Sequence, residues 1–368
     1  MTRDGICEWL IGNADAPVRH RVYREILKDG NSAKSTEDEL FENPSVKLWL
    51  KNLKPEDPPQ HWSMEHGSFD FCLENALLKA VQLGLHGQMP QLTDSVCYYL
   101  DMPGSIASCE QFRIDDKNRP GVPNTGFYSI LTVNLLAAAG FSHKYIKDYM
   151  LGSLNAMHGF VSGNGYDIYV GEAEKNKLKN VPAIWRDKKF IKRELVEERG
   201  FCFPLIYDVI GLHSLYELND PAVNAKIDSV IGYISKDGFH NAIADGYGIL
   251  ISGNGRYHSM GWDPKYPGWF DVSSYIANGN AGKLLFFAQH ISKYEAERET
   301  KWYSDLLRFL DTYKTGNGTH IFPSEWFRER RGYAVQGCRL SYGESRRKKN
   351  WLEIESTLYM LLLTQYFC

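Results

Sequence analysis

The sequence predicts an all-α protein, an α/α toroid of helical hairpins with long loops and small β-hairpins at one mouth. Three observations predict it. Segments with helical period recur along the chain, alternately more apolar and more amphipathic. Connections inside each pair are short, such as Gly140–His143 and Leu218–Asp220, which makes the two helices antiparallel neighbours. Polar loops of uneven length separate the pairs, so the pattern returns roughly every 55–75 residues. A plain superhelical solenoid fits the same pattern. The 368 residues are read as a single toroid domain, with helices in residues 1–53 packing on its outside.

The elements follow in order. Asp15 reads as an N-cap with Pro17 in the first turn, and Val18, Val22, Ile26 and Leu27 form an apolar stripe. A short helix is expected near Val46–Leu53, broken by the proline-rich stretch at 55–59. The apolar, inner helices are then Phe71–Leu85, Phe127–Ala139, Phe203–Tyr216, Ser273–His290 and Leu352–Tyr366. Their amphipathic, outer partners are Leu92–Leu100, Lys144–Met157, Pro221–Ile234 and Glu299–Tyr313. Leu358–Leu363 is apolar almost all round, as a helix buried on every side should be.

In such a toroid every outer-to-inner loop lands on one face. Those loops are residues 54–66, 101–126, 158–200, 236–271 and 314–351. The stretch 236–271 stands out for its Gly, aromatic, His and Asp content. Within it, residues 247–251 and 256–260 flank Ser252–Gly255 and read as a β-hairpin with an Asn-Gly turn. Ser/Thr-Gly-Asn-Gly occurs at 162–165, 252–255 and 315–318, a recurrent turn.

Composition bounds the partners. With 43% hydrophobic and 24% charged residues the balance is globular. A formal net charge of −3 argues against broad nucleic-acid binding. Nine Trp and 22 Tyr serve either a large core or a site for hydrocarbons, sugars or cations. Seven scattered Cys without a CxxC pair fit a reducing cytosol. The N-terminus lacks a signal-peptide apolar region, and no run approaches the ~18 apolar residues of a membrane span. A cytoplasmic protein without a membrane span is expected.

Two ends of the chain carry a resemblance. Trp9-Leu10 with ADAPVRHRVYR (14–24), and THIFPSEW (319–326) with WLEIEST (351–357), resemble the opening and closing parts of bacterial prenyltransferase/terpene-cyclase-like toroid proteins. The likeness extends along most of the chain as alternating inner and outer helices. It implies the toroid fold and an isoprenoid-like or other bulky apolar substrate. The motifs of better-known relatives are incomplete. Squalene–hopene cyclases use a DxDD acid, and Arg113 stands where Asp115-Asp116 would need the first Asp. Protein prenyltransferases hold zinc with Asp-x-Cys and a later His. Asp70 and Cys72 match the pair, but residues 126–129 offer no His. The Cys-His-Gly of lanthionine cyclases does not occur. No metal and no cofactor are therefore expected.

Several constellations carry chemistry. His61, His66, Asp70 and Cys72 have the ligand types for zinc, but a buried Cys and backbone-bonded His explain them equally. Asp115-Asp116 could hold Mg²⁺ against a diphosphate or be a solvated loop. Between Trp326 and Trp351 lie eight basic residues against two acidic ones, a run that suits a diphosphate, a carboxylated sugar or a solvated turn. His240, Asp245, His258 and Asp263 are the general acid/base candidates, since His titrates near neutrality and Asp can orient it. They could instead satisfy the loop's own backbone. Trp62, His66, Tyr128, Arg256, Tyr257, Trp262, Trp269 and Trp326 are the candidate substrate-binding residues, and His258, Trp262, Asp263 and Trp269 are expected to border one cavity with His66 and Tyr128.

The expected function is an enzyme taking a small-molecule substrate, anionic if the basic run contributes, with an aromatic-lined pocket for an isoprenoid-like group. A carbohydrate-active lyase or hydrolase of acidic glycans and a non-catalytic binding or scaffold protein remain open. A deep aromatic cavity with His258 and Asp263 favours the first. An open groove with stacked Trp and exposed Arg favours the second, and scattered His and Asp the third.

Overall fold

A computed structural model describes residues 1–54, 66–100, 127–163, 165–197, 202–251 and 257–366. The described residues are mostly helical, with 61% helix, 4% strand and one small two-stranded sheet among them. Its principal helices are α1 (Arg3–Asn13), α2 (Ala16–Arg21), α3 (Pro44–Leu53), α4 (Leu73–Gln82), α5 (Pro90–Leu100), α6 (Phe127–Ala138), α7 (Lys144–Gly163), α8 (Ile206–Gly211), α9 (Pro221–Ile234), α10 (Asp237–Ala242), α11 (Ala281–Ile291), α12 (Lys301–Asp311) and α13 (Trp351–Thr364). Among the described residues no helix is long and apolar enough to cross a membrane. By internal contacts the chain forms two compact units. The first comprises Met1–Tyr98, Ala139–Phe141 and Pro267–Cys368, and the second Tyr99–Ala138 and Ser142–Tyr266.

In the first unit, local chemistry starts the helices and buried stripes hold them. Asn43 caps α3 by accepting from Ser45 N at 2.9 Å, with Pro44 in the first turn. Val46, Trp49 and Leu53 then fall on one buried face, which packs on α4. Thr300 caps α12, whose Trp302, Tyr303, Leu306 and Leu310 are buried. Trp302 Nε1 donates to Pro267 O at 2.9 Å and Tyr303 OH to Leu363 O at 2.9 Å, so both rings bury their apolar area without orphaning a polar atom. Helix α13 is buried at every position from Ile354 to Leu363, which includes the nearly all-apolar stretch Leu358–Leu363 and the polar residues Glu355, Ser356 and Thr357. The N-terminal helices join this core: buried Arg21 donates to Gln82 O at 3.0 Å, pairs with Glu25 and lies 5.0 Å from the Tyr342 ring centre.

The segment expected as one helix over Ser273–His290 is broken. A short turn at Val272–Tyr275 and a wide turn at Ile276–Asn280 precede α11, because Gly279 takes φ 81°. At the start of α11, Gly282 meets Gly337, whose φ is 69°. A Cβ on Gly337 would sit 2.0 Å from the Gly282 carbonyl. Two backbones thus touch where any side chain would force them apart.

In the second unit, α6 packs on α7 and α8, and α7 on α9. Asp220 caps α9 ahead of Pro221, and Asn219 makes the preceding turn at φ 51°. Strand β1 (Ile249–Ile251) pairs antiparallel with β2 (Tyr257–Ser259), Leu250 opposite His258. The expected turn at Ser252–Gly255 lies outside the described residues. Phe203–Tyr216, expected as one helix, is α8 followed by a tighter 3₁₀ stretch at Leu212–Leu218. Gly211 lets α8 approach α6, since a Cβ there would lie 2.1 Å from Asn134 Oδ1. That approach brings Asn134 Nδ2 within 2.9 Å of Asp208 Oδ1, while Leu205 N donates to Asp208 Oδ2 at 2.8 Å.

Burial pushes the Asp208 carboxyl up to about 7, against the pull of those two donors. An unfolded Asp ionises near 4. Between about 4 and about 7 the folded chain therefore holds a proton that the unfolded chain has lost, and its stability falls as pH rises. Urea melts of wild type and Asp208→Asn across this range should show the variant losing most of that fall. Parallel curves would place the titration elsewhere.

Candidate functional site

The first unit carries a long irregular segment, residues 314–350, between α12 and α13. Much of it is buried, including Ala334, Val335, Cys338, Leu340, Tyr342 and Glu344. Only two short 3₁₀ turns, Ser324–Phe327 and Ala334–Gln336, interrupt its irregular course, so most of its buried backbone must find other partners. Here two helices supply them. From α4, Asn75 Oδ1 accepts from Ala334 N at 2.7 Å, Gln82 Nε2 donates to Leu340 O at 3.0 Å, and the Lys79 ammonium donates to Ser341 O. From α13, Glu355 Oε1 accepts from Ser341 Oγ at 2.7 Å, Tyr342 N at 3.1 Å and Glu344 N at 3.2 Å. Ser356 and Thr357 take Phe322 N and His320 N at 2.9 and 3.0 Å. Burial pushes the Glu355 carboxyl up, and Arg346 at 3.6 Å and these donors pull it back.

Two clefts open against this segment, of about 450 Å³ and about 600 Å³, sharing Trp49 and Glu329. Phe69, Asp70, Phe71, Arg330, Arg331 and Arg339 complete the smaller one. The larger adds Lys79, Glu325, Phe327, Arg328, Glu344, Arg346 and Trp351 among others. Three guanidinium groups lie over aromatic rings: Arg331 on Phe69 at 4.1 Å, Arg346 on Trp351 at 3.6 Å and Arg339 on Trp49 at 5.6 Å. Arg339 spends its N–H groups on Arg330 O, Gly332 O and Asp70, and Arg346 donates to Phe327 O at 3.1 Å.

The carboxylates are mostly matched already. Asp70 pairs with Arg339, Glu329 with Lys79, and Glu344 with Lys348 at 3.1 Å. Burial, then Asp15, pushes Glu344 up to about 7, although the Asp15 amide and Lys348 oppose them. Arg328, Arg330 and Arg331 are exposed, and among the described residues none has an ion-pair partner. The site thus offers surplus positive charge beside apolar ring faces.

Beside the smaller cleft, His66 Nδ1 lies 2.6 Å from Glu74 Oε2, and the His66 ring stacks on Tyr333 with centroids 5.0 Å apart. Of the zinc-type set, Asp70 is thus held by Arg339 and His66 by Glu74, Cys72 is buried, and His61 lies outside the described residues. Among the described residues no three His, Cys, Asp or Glu side chains are grouped to hold a metal.

The sequence candidates divide between the units. In the second, Asp263 accepts from Gly246 N at 2.7 Å and Lys265 N at 3.0 Å, and Lys265 Nζ reaches Asp245 at 2.9 Å. These two carboxylates hold the loop's backbone and its lysine. His240 is buried edge-on against Tyr266 at 5.4 Å, and burial with Lys265 lowers it to about 4, so it is neutral at pH 7. His258 is exposed on β2. Tyr257 OH donates to Lys179 O at 2.5 Å, and Trp262 takes φ 62° with its ring 6.0 Å from Tyr207. In the first unit, Trp269 is half-buried. Trp326 is buried in a cluster with Phe322 and Tyr313. Trp62, Arg256, Asp115 and Asp116 lie outside the described residues, as does the Tyr128 side chain. Sequence reasoning missed Trp49, Glu74, Lys79 and Glu355. Charged residues inside the apolar stripes of α4 and α13 were the signal.

Lys79→Met should cost about 1–3 kcal/mol in denaturant melts, because it strips a donor from buried carbonyls. Exposed Arg330→Ala should stay within about 0.5 kcal/mol of wild type. Equal losses would mean that Lys79 does not support the segment.

Compared with known protein families, characterised proteins and solved structures, the chain matches none.

Proposed function

We propose that the chain is a carbohydrate-active enzyme whose first unit binds acidic oligosaccharides along the two clefts. The observation that carries this reading is the set of arginines laid on aromatic rings at an open groove. A sugar ring stacks on an aromatic face, and its carboxylate takes the two parallel N–H bonds of a guanidinium. The reading takes residues 1–368 as one α/α toroid, which the helix-on-helix pairings within each unit support. The cytoplasmic setting expected from the scattered cysteines is part of it, so short oligosaccharides are the ligands to test. Four of the five described cysteines are buried. The same cations would also suit a diphosphate, which makes a prenyl diphosphate the competing ligand.

Titration calorimetry with 4-linked uronate oligosaccharides, neutral oligosaccharides of equal length, a prenyl diphosphate and a short single-stranded oligonucleotide tests it. Uronate oligosaccharides should bind, and Arg331→Ala and Arg346→Ala should each weaken them about tenfold, the loss of one charge-assisted contact. Neutral sugars and the oligonucleotide should bind far more weakly. Capture of the prenyl diphosphate alone would favour the isoprenoid reading, and no binding at all would favour a scaffold.

A further inference from the structure

In the second unit, residues 171–189 leave the core and return to it at one place. Val170 N donates to Phe190 O at 2.9 Å, Ile191 N to Ile249 O at 2.8 Å and Ile249 N to Lys189 O at 2.9 Å. Ile168, Phe190 and Ile191 are buried at this foot. Farther out, Tyr257 of β2 donates its hydroxyl to Lys179 O at 2.5 Å, and Asn180 turns the chain at φ 58°. The excursion is thus held at its base and at its middle. Next comes the apolar run Val181-Pro-Ala-Ile-Trp185, which ends in a 3₁₀ turn at Ala183–Trp185.

None of these five residues is buried, and Ile184 is 77% exposed. An unburied apolar run of this length is unfavourable in water unless it serves a contact. Beside it, Lys177, Lys179, Arg186 and Lys188 are exposed, and among the described residues none has an ion-pair partner. Asp187 is the one acidic residue in 177–188, so the loop is basic in a chain whose net charge is −3. The cations nearer the foot are committed: Lys189 donates to Ala242 O at 2.9 Å, and Lys192 pairs with Asp167 at 2.8 Å.

We infer that this loop docks the protein on an anionic lipid bilayer. Such a surface is apolar beneath a layer of negative charge, the order in which the loop presents its complement. Val181–Trp185 enters at headgroup level, where an indole has an apolar body and a wet N–H. The four cations lie over lipid phosphates and carboxylates. Five residues are far fewer than the ~20 of a spanning helix, so the contact is peripheral. A nucleic acid would engage the cations and leave Ile184 in water. An acidic protein face would need a pocket shaped to Ile184 and Trp185, whereas lipid takes any apolar shape. The inference is independent of the acidic-glycan reading, which concerns the first unit.

Co-sedimentation of the full chain with vesicles tests it. Phosphatidylcholine mixed with phosphatidylserine should bind the chain, phosphatidylcholine alone far more weakly, and added salt should weaken binding. Ile184→Ser should lower the partition about tenfold, and Ile184→Leu should keep it. Lys177→Gln and Arg186→Gln should each lower it about fivefold. All three positions are exposed, so melting temperatures should not change. Brominated lipid in the mixed vesicles should quench the tryptophan emission of wild type and quench that of Trp185→Phe much less. Arg328→Ala and Arg330→Ala in the first unit should leave vesicle binding unchanged. Binding lost through those two and not through the loop overturns the inference. So does absence of binding to the mixed vesicles, or binding indifferent to Ile184→Ser. Self-association without vesicles that Ile184→Ser abolishes would assign the loop to a second copy. Capture of a single-stranded oligonucleotide in place of vesicles would assign it to nucleic acid, and either result overturns the lipid surface.

Discussion

An irregular backbone cannot be buried unless something replaces the partners that a helix or sheet would give it. In the first unit this constraint falls on residues 314–350, and the side chains of α4 and α13 meet it. Glu355 alone receives two backbone amides and a hydroxyl on one oxygen. From the other side Lys79 and Gln82 donate to the carbonyls of Ser341 and Leu340, and Asn75 accepts the Ala334 amide. Each would be costly to bury unpaired, and each is paired with the same segment. The polar groups and the segment therefore justify one another, and neither survives alone.

The cleft inherits its shape from this arrangement. Arg339 is fixed by Arg330 O and Gly332 O at 3.1 and 2.8 Å, by Asp70 and by the Trp49 face, so that wall has one geometry. Once these pairings are complete, the exposed arginines on the same segment have their charge left over. The distinction between matched and surplus charge separates scaffold from candidate site. It also sets the second unit apart, where Asp245 and Asp263 are committed to Lys265 and to backbone amides.

What was legible in the sequence follows from how local each interaction is. Helices α3, α6, α9 and α13 could be read from periodicity, because apolar stripes repeat within a few turns. The break at Gly279 was missed, since one glycine inside an apolar run is tolerated more often than it breaks a helix. The basic run before Trp351 was visible as charge, but its partners were not. Asp70 meets Arg339 from 269 residues away, so no local pattern announces that Asp70 pairs with an arginine. Asp263 was a different case. Its bond to the amide two residues on is short-range turn chemistry, and the loop's need to satisfy its own backbone already pointed to it.

The central claim is that α4 and α13 hold the irregular segment as firmly as a helix is held. Amide hydrogen exchange reads this directly at Phe322, Ala334, Tyr342 and Glu344, whose N–H groups donate to Ser356, Asn75 and Glu355. The account predicts protection approaching that of the α13 amides, opening only with global unfolding. Rapid exchange at these four, beside slow exchange in α13, would contradict it.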